Sequence, residues 1–407
     1  MFPKKMSARL AFPGLAAVFA AFFFAAGAPT PLLSLRQQEW HFSTGTLGIA
    51  FSAYAIGLLA ALLGAGSLSD HVGRRPVMLA ALAAELAAMI GFVLAPSITW
   101  VISARILQGI ATGLATSAFS AAITEQAPAR FKKFAGGLAA GSVAGGLGLG
   151  ALVTGAAVQF TSDANTVIFS ALTAIMALGL VFVGFTSETA PKWPGALRSL
   201  IPRIGVPAAL RSEFAAGVPV HVAGWMFPAF FLGLSPAILR LHFALDGGLV
   251  AGFTAFLGPF AAAVSSFTFN RHPARQATII GTSLTLIGVI VVLIGVNQTW
   301  LAAVWIGAVL GGTGFGASFG GQVRLIAPHI QPHQRAGVFS GIYTVAYLAF
   351  GLPVIIAGQL VPILGPVPTF QWYAAAIVAF AVPAVVIQLV RQRRDTASAL
   401  TPAAPAA

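Results

Sequence analysis

The chain alternates long apolar runs with short polar segments. The runs recur at about the 20 residues that a helix needs to cross a bilayer. Runs such as 284–294 lack the period-two alternation of a membrane strand. Only helices or closed barrels satisfy the backbone in hydrocarbon, so we expect an all-α membrane protein. The pattern predicts twelve spans, at residues 8–32, 44–69, 76–96, 98–122, 134–159, 164–186, 213–238, 247–269, 276–297, 299–323, 336–361 and 368–390.

The predicted spans form two groups of six, separated by a polar segment. Residues 1–186 are expected to form one six-helix bundle and residues 213–391 a second, followed by a tail at 392–407. The segment 187–212 carries four prolines and five charged residues, so we interpret it as a cytoplasmic linker. Residues such as Asp70 and Asn270 correspond at an offset of 200. A duplicated bundle of this kind indicates alternating access to a site near the middle of the membrane.

Basic residues predict the orientation of the spans. Of the 22 Lys and Arg residues, all but Arg36, Arg105 and Arg240 fall in the N-terminus, in the loops after even-numbered spans or in the C-terminal tail. Because cytoplasmic loops are enriched in Lys and Arg, both termini are predicted to be cytoplasmic. The net charge of +13 then reflects topology, and no nucleic-acid partner is expected. The first apolar run, which follows a basic N-terminus, is interpreted as an uncleaved span rather than a signal peptide.

The loop between the second and third spans carries the most specific motif. It reads Gly66-Ser67-Leu68-Ser69-Asp70-His71-Val72-Gly73-Arg74-Arg75. This segment resembles the loop 2–3 signature of the major facilitator superfamily, G-x-L-a-D-r-x-G-r-r, with His71 at a position that is usually basic. The layout of six spans, linker and six spans extends the resemblance over essentially the whole chain. It implies a transporter.

Two further patterns support the resemblance. The run from Arg105 to Gly109 is similar to the R-x-x-q-G motif of the family's fourth span. Span 5 resembles the glycine pattern of proton-coupled antiporters, with Ala151 in place of the usual proline and Thr154 in place of a glycine. The glycines that carry this second pattern are Gly137, Gly146, Gly150 and Gly155. The alternative is that they serve only the close packing of helices.

The resemblance implies a gate at the predicted cytoplasmic surface. We expect Asp70 to face the N-terminus of span 11, whose helix dipole favours a carboxylate. We expect Arg74 to pair with Glu125 at the end of span 4. These contacts form when the cytoplasmic side closes and break when it opens; the alternative is that the loop only fixes topology. The predicted gating residues are Gly66, Asp70, Gly73, Arg74, Arg75 and Glu125.

Glu85 is the acidic residue placed deepest in a predicted span. It lies ten residues after Arg75, which is about 15 Å along a helix and therefore near the middle of the bilayer. A charge at that depth costs roughly 2.5–3.5 kcal/mol, so its presence suggests function. We expect Glu85 to load and release a proton. The alternative is a neutral, hydrogen-bonded carboxyl that only packs spans.

Two groups of side chains are candidates for the transport path. Arg105, Gln108 and Thr112 share one face of span 4, and the resemblance places that face on the cavity. Arg105 is expected to assist proton release or to hold an anionic group; the alternative is a structural Arg bonded to carbonyls of a neighbouring span. His221 and Trp225, one turn apart on span 7, offer a titratable ring and an aromatic surface. Their alternative role is packing.

The sequence indicates a transporter rather than an enzyme. The chain has no cysteine, no phosphate-binding loop and no His/Asp cluster, so neither a cofactor nor a metal is expected. The predicted function is secondary active transport in a cell inner membrane, as proton-coupled efflux of small, partly apolar solutes by a monomer. One alternative is an importer or facilitator of a small, possibly anionic metabolite. A second is a non-transporting sensor built on the same scaffold.

Overall fold

The computed structural model describes residues 7–190, 193–200, 205–331 and 334–400, and within them it contains helices and no strands. The basic residues Lys4, Lys5, Lys192 and Arg203 and the tail after residue 400 lie outside the described residues. The α-helices are Ala8–Gly27, Pro29–Trp40, Thr44–Ala65, Leu68–Val72, Arg74–Val93, Ile98–Glu125, Ala135–Phe160, Ala164–Gly184, Ala196–Ser199, Arg211–Gly233, Ser235–Leu241, Gly248–Thr268, Ala274–Asn297, Leu301–Ile326, Arg335–Leu364 and Pro366–Leu400.

Twelve spans in the described part of the chain are long and apolar enough to cross a membrane. They are numbered span 1 to span 12 in chain order; span 1 includes both Ala8–Gly27 and Pro29–Trp40, and the three helices shorter than eight residues are left out. The twelve predicted spans are thereby confirmed. One clear difference is at span 1, which the sequence predicted to end at residue 32 and which runs to Trp40. Its polar end stays helical because polar residues limit membrane burial and do not by themselves stop a helix.

Spans 1 and 7 each break near the same end and then continue as a short helix. Span 1 breaks after Gly27 and resumes at Pro29–Trp40; span 7 breaks after Gly233 and resumes at Ser235–Leu241. Each continuation carries a proline in its first turn, where the missing N–H costs least. The two continuations pack against each other. They join the two halves at this end of the molecule.

Close approach of backbones holds neighbouring spans together. Spans 9 and 10 cross at paired glycines, so that a Cβ built on Gly288 would lie 2.5 Å from the backbone nitrogen of Gly311. Helix association in membranes relies on such small residues, because there is no hydrophobic driving force between helices in lipid and close packing must stabilise them. The halves meet along two further helix pairs, span 2 with span 11 and span 5 with span 8.

The hydrogen bonds between the halves lie at one end. We call this end the 1–2 side, because it carries the loop between spans 1 and 2, and the opposite end the 2–3 side. Arg240 donates to Oε1 of Gln37 at 2.7 Å and to the carbonyl of Ser34 at 3.3 Å. Ser52 donates to the carbonyl of Gly351 at 2.9 Å. Among the described residues no other hydrogen bond joins the two sets of six spans, so this conformation is closed on the 1–2 side.

Candidate functional site

A buried polar network links spans 3 and 4 inside the first half. Glu85 is fully buried, and its Oε1 accepts from Nε2 of Gln108 at 3.3 Å. Oε1 of Gln108 in turn accepts from the guanidinium of Arg105 at 2.8 Å. The other carboxyl oxygen of Glu85 is buried and has no partner. Burying an unpaired oxygen is costly, so this carboxyl is a candidate for protonation.

Arg105 is held by backbone carbonyls of the neighbouring spans. Its guanidinium donates to Ala26 at 3.1 Å, to Phe51 at 3.2 Å and, through Nε, to Ala50 at 3.3 Å. The guanidinium carbon also lies 4.7 Å from the centre of the Tyr54 ring. The side chain is 2% exposed, so in this conformation it does not line an open cavity. Carbonyls of spans 1 and 2 cover this face of span 4.

Thr112 points back to its own helix. Its hydroxyl donates to the carbonyl of Gln108 at 2.9 Å, and the residue is fully buried. Back-bonding of this kind is common for threonine within a helix. Of the face predicted on span 4, Arg105 and Gln108 therefore reach neighbouring spans by hydrogen bonds, whereas Thr112 fills space.

Aromatic rings from both halves meet around Trp225. We call Phe51, Trp225, Tyr347 and Phe350 the aromatic cluster. The Trp225 ring lies 5.1 Å from Tyr347 and 6.0 Å from Phe350, and Phe350 lies 5.1 Å from Phe51 of the first half. Such ring distances are favourable in aromatic pairs. The sequence identified Trp225 on span 7 but not its partners on spans 2 and 11.

His221 lies one turn from Trp225 without a hydrogen-bond partner. It is 3% exposed, both ring nitrogens are unpartnered, and the ring packs at 5.7 Å against Phe319 of span 10. One turn further along span 10 stands Gln322, fully buried with both amide atoms unpartnered. Sequence reasoning missed Gln322. In the sequence, Gln322 is a single amide in a glycine-rich span, which is typical of a packing residue. Its position opposite span 7 is visible only in the structure.

The loop 2–3 motif is built around Arg74. Its guanidinium donates to Asp70, to Oγ of Ser69 at 2.7 Å and to Oε1 of Glu125 at 3.2 Å. Asp70 is largely exposed, and the described part of span 11 makes no hydrogen bond with it. The contact expected between Asp70 and the N-terminus of span 11 stays a prediction, because residues 332 and 333, which precede this span, lie outside the described residues.

The two glycines and the second arginine of the motif shape the same loop. Gly73 has a φ of 104°, which glycine tolerates and other residues rarely adopt. It joins the short helix Leu68–Val72 to span 3. Gly66 closes span 2 with a helical φ of −58°. Arg75 donates to the carbonyl of Gly184 at the end of span 6. The motif therefore joins spans 2, 3, 4 and 6.

Glu188 completes this cluster and was not identified from the sequence as a functional residue. Its carboxylate accepts from the backbone N–H of Arg74 at 2.8 Å and of Arg75 at 3.0 Å, and so caps span 3 from the linker. The N–H groups of Thr189 and Ala190 bind the same carboxylate at 2.9 and 3.0 Å. A carboxylate at a helix N-terminus satisfies free donors and the helix dipole together. No local sequence pattern predicts that a residue from a distant segment will cap a helix.

The corresponding end of the second half has a different charge arrangement. Glu213 at the start of span 7 accepts from Arg275 at 3.2 Å and from Arg391 at 2.8 Å. Arg275 also pairs with Asp395 near the end of span 12, at 2.8 Å. Asn270 stands where the first half has Asp70, and its carbonyl accepts from Arg324 at 2.6 Å. The two halves are thus unequal at the 2–3 side.

The fold and these sites define a helical membrane protein in which two six-span halves enclose a mostly apolar interface. The family model of the Major Facilitator Superfamily matches residues 15–353. The chain belongs to this superfamily, a family of transporters and not of enzymes.

Similarity to individual relatives covers only part of their length. An uncharacterised MFS-type transporter of Bacillus subtilis, YceJ, is 32% identical over 155 residues, which cover 38% of this chain and 40% of that protein. The multidrug resistance protein MdtL of Escherichia coli is 39% identical over 71 residues, or 17% of this chain and 18% of that protein. The human organic anion transporter MFSD10 has a similar structure, with a TM-score of 0.70 at 17% identity over 93% of this chain and 100% of its own. This last likeness is one of fold.

Proposed function

We propose that the chain is a proton-coupled exporter of small, partly apolar molecules that works by alternating access. The observation that carries the proposal is the Glu85–Gln108–Arg105 network. It buries a carboxyl with one free oxygen. The fixed charge of Arg105 is connected to this carboxyl by two hydrogen bonds, through the amide of Gln108. The protonation of such a carboxyl changes when the packing and hydrogen bonds around it change during transport. Coupling to a proton gradient requires this dependence.

The aromatic cluster is the proposed contact for the apolar part of the solute. It joins spans 2, 7 and 11, which belong to different halves. A solute bound there touches both halves and favours whichever arrangement encloses it. The partial similarity to MdtL is consistent with export of such compounds. The anionic alternative has less support, because the Arg105 guanidinium already binds carbonyl and amide oxygens.

Topology and domain division belong to the same proposal. The two halves are taken as residues 1–186 and 213–391, with cytoplasmic termini in a bacterial inner membrane and a monomer as the working unit. The 2–3 side is then cytoplasmic, and the described conformation is closed to the outside. In this scheme the loop 2–3 motif is the cytoplasmic gate, with Asp70, Arg74 and Glu125 as its charged members.

The test combines a growth screen with transport in vesicles. Cells that overproduce the protein are challenged with a panel of toxic compounds, and hits are added to inverted vesicles that hold a pH gradient reported by a quenched dye. We expect at least one neutral or weakly basic aromatic compound to raise tolerance and to release protons on addition. Tolerance without proton movement would remove the coupling, and no response across a broad panel would remove the export function.

A further inference from the structure

Spans 7 and 10 carry five buried polar atoms without partners on facing surfaces. They are both ring nitrogens of His221, the indole nitrogen of Trp225 and both amide atoms of Gln322. Buried polar atoms in proteins are almost always satisfied. Five unsatisfied atoms in one region therefore indicate a place that is completed by something else.

The five atoms lie along the contact between spans 7 and 10, which we call the seam. The residues Gly217, His221 and Trp225 follow at one-turn intervals on span 7. The residues Gln322, Phe319 and Phe315 follow in the opposite direction on span 10. A Cβ built on Gly217 would lie 2.8 Å from Oε1 of Gln322. His221 packs on Phe319, and Trp225 packs on Phe315 at 5.3 Å. The three polar side chains thus line one surface that leads to the aromatic cluster.

We infer that this seam binds the uncharged, hydrogen-bonding end of the transported molecule, whose aromatic body lies on the aromatic cluster. The inference rests on the proposed function and adds the class of substrate. The ligand is neutral and offers a donor and an acceptor side by side, as a carboxamide does. Gln322 supplies the matching pair, because its amide both donates and accepts.

The charge distribution supports a neutral ligand. In the described part of this half, the carboxylates of Glu213 and Asp395 are paired with arginines at the 2–3 side. Asp246 lies in the exposed loop before span 8. Among the described residues, the ring contacts of His221 and Trp225 are with aromatic side chains, and Gln322 forms no hydrogen bond or ion pair with a charged group. A cation or an anion in this seam would lose its hydration with no counter-charge to replace it.

Access is available next to the seam. Trp225 and Tyr343 are only partly buried, so they border open space, whereas His221 and Gln322 are covered. Tyr343 stacks towards Tyr347 with ring centres 6.2 Å apart. Phe319 packs on both His221 and Trp225, so its displacement would let a ligand on these rings reach the polar seam.

The test is equilibrium binding to the purified full-length protein with four matched probes. Tritiated 1-naphthamide is bound and competed by 1-naphthoate, 1-naphthylmethylamine and 1-methylnaphthalene, which share one ring system and differ in charge and hydrogen bonding. We expect the amide to bind about tenfold or more tightly than the others, since a site built to hydrogen-bond rejects analogues that leave it unpaired. Equal affinities for the four probes, or no binding of any, would overturn the inference.

Variants assign the preference to Gln322. Gln322→Met keeps the length of the side chain and removes its hydrogen bonds, so the advantage of the amide over 1-methylnaphthalene should fall about tenfold. Gln322→Glu should shift the preference to 1-naphthylmethylamine. Gly217→Ala keeps Gln322 but shifts its amide, because the new Cβ would lie 2.8 Å from Oε1, and it should act in the same direction as Gln322→Met. The matched control is Gln371→Met on the exposed start of span 12.

The outcomes separate the inference from the proposed function. Binding needs neither a membrane nor a gradient, so it is independent of coupling and direction. If Gln322→Met leaves the ratio of affinities unchanged while the protein still exports compounds, the seam does not recognise the substrate. If the probe preference holds and vesicles show no proton movement, the coupled function fails and the binding site stands.

Discussion

Glu85 and Arg105 are joined through the amide of Gln108 and not by a direct ion pair. The carboxyl accepts from Nε2 at 3.3 Å, and the guanidinium donates to Oε1 at 2.8 Å. Nε2 also donates to the carbonyl of Ala25 in span 1 at 3.0 Å. The amide is therefore held at both ends. A change of protonation at Glu85 reaches Arg105 and span 1 through the same group.

The first prediction concerns coupling. Glu85→Gln keeps the shape of the side chain and its bond to Gln108, and removes the exchangeable proton. We expect substrate-induced proton release in vesicles to be lost, and the pH dependence of transport between about pH 5 and pH 8 to flatten, while exchange of substrate without a gradient continues. Full proton release by this variant would exclude Glu85 as the coupling residue.

The control for that variant is Asp163→Asn. Asp163 caps span 6, and its bonds to the hydroxyl and backbone N–H of Thr166 hold the pKa of the carboxyl below its ordinary value of 3.8. Its contribution to stability is present above the ordinary pKa and is lost only as the pH falls below it. Asn caps a helix about as well as Asp. The variant should leave both stability and the pH profile unchanged between about pH 5 and pH 8.

The second prediction concerns the stability of the first half. Arg105 donates to oxygens on spans 1, 2 and 4. A lysine lacks the planar fork that reaches them together. Arg105→Lys should lose at least two hydrogen bonds to a charged group, or roughly 3 kcal/mol at about 1.5–3 kcal/mol each. Thermal unfolding in detergent measures the loss, with Arg36→Lys, at a partly exposed arginine, as control. An unchanged midpoint would show that the carbonyl contacts contribute nothing net.

The third prediction concerns the closed 1–2 side. Arg240→Ala removes both hydrogen bonds from span 7's continuation to span 1. We expect a larger population that is open on this side. Spin labels on Gln38→Cys and Leu241→Cys report it as a longer distance by pulsed electron resonance; because the chain has no cysteine, no native thiol interferes. The conservative Arg240→Lys should shift the distance less. An identical distribution in all variants would contradict the role of Arg240.

The fourth prediction concerns the loop 2–3 gate. Arg74→Gln and Glu125→Gln should each slow transport, and the double variant should be no slower than Arg74→Gln alone, because the residues act as one pair. Initial rates of transport in vesicles measure the coupling. Rates that multiply in the double variant would show that the two residues act independently. The matched control is Glu39→Gln, which lies on the 1–2 side, at the opposite end of the molecule.

The positions of the spans could be predicted from the sequence, whereas the contacts between the spans could not. Hydropathy locates helices because each span must be apolar along its own length. It left open whether Arg105 lines a cavity or binds carbonyls of a neighbouring span, because a helical face indicates a direction and not which groups it meets. The cap of span 3 by Glu188 and the seam at Gln322 depend on residues more than 90 positions apart. The motif around Arg74 was recognisable because its members lie within one loop.

Spans 5 and 8 meet backbone to backbone near the 1–2 side. A Cβ built on Gly252 would lie 2.5 Å from the carbonyl oxygen of Ala151 and 2.9 Å from the Cα of Gly155. With no side chains interlocked at this point, a change in tilt between the two helices leaves no rotamer to rearrange. The contact is suited to be a fulcrum. Distances measured across it should stay constant while those at both ends of the molecule change in opposite directions during a transport cycle.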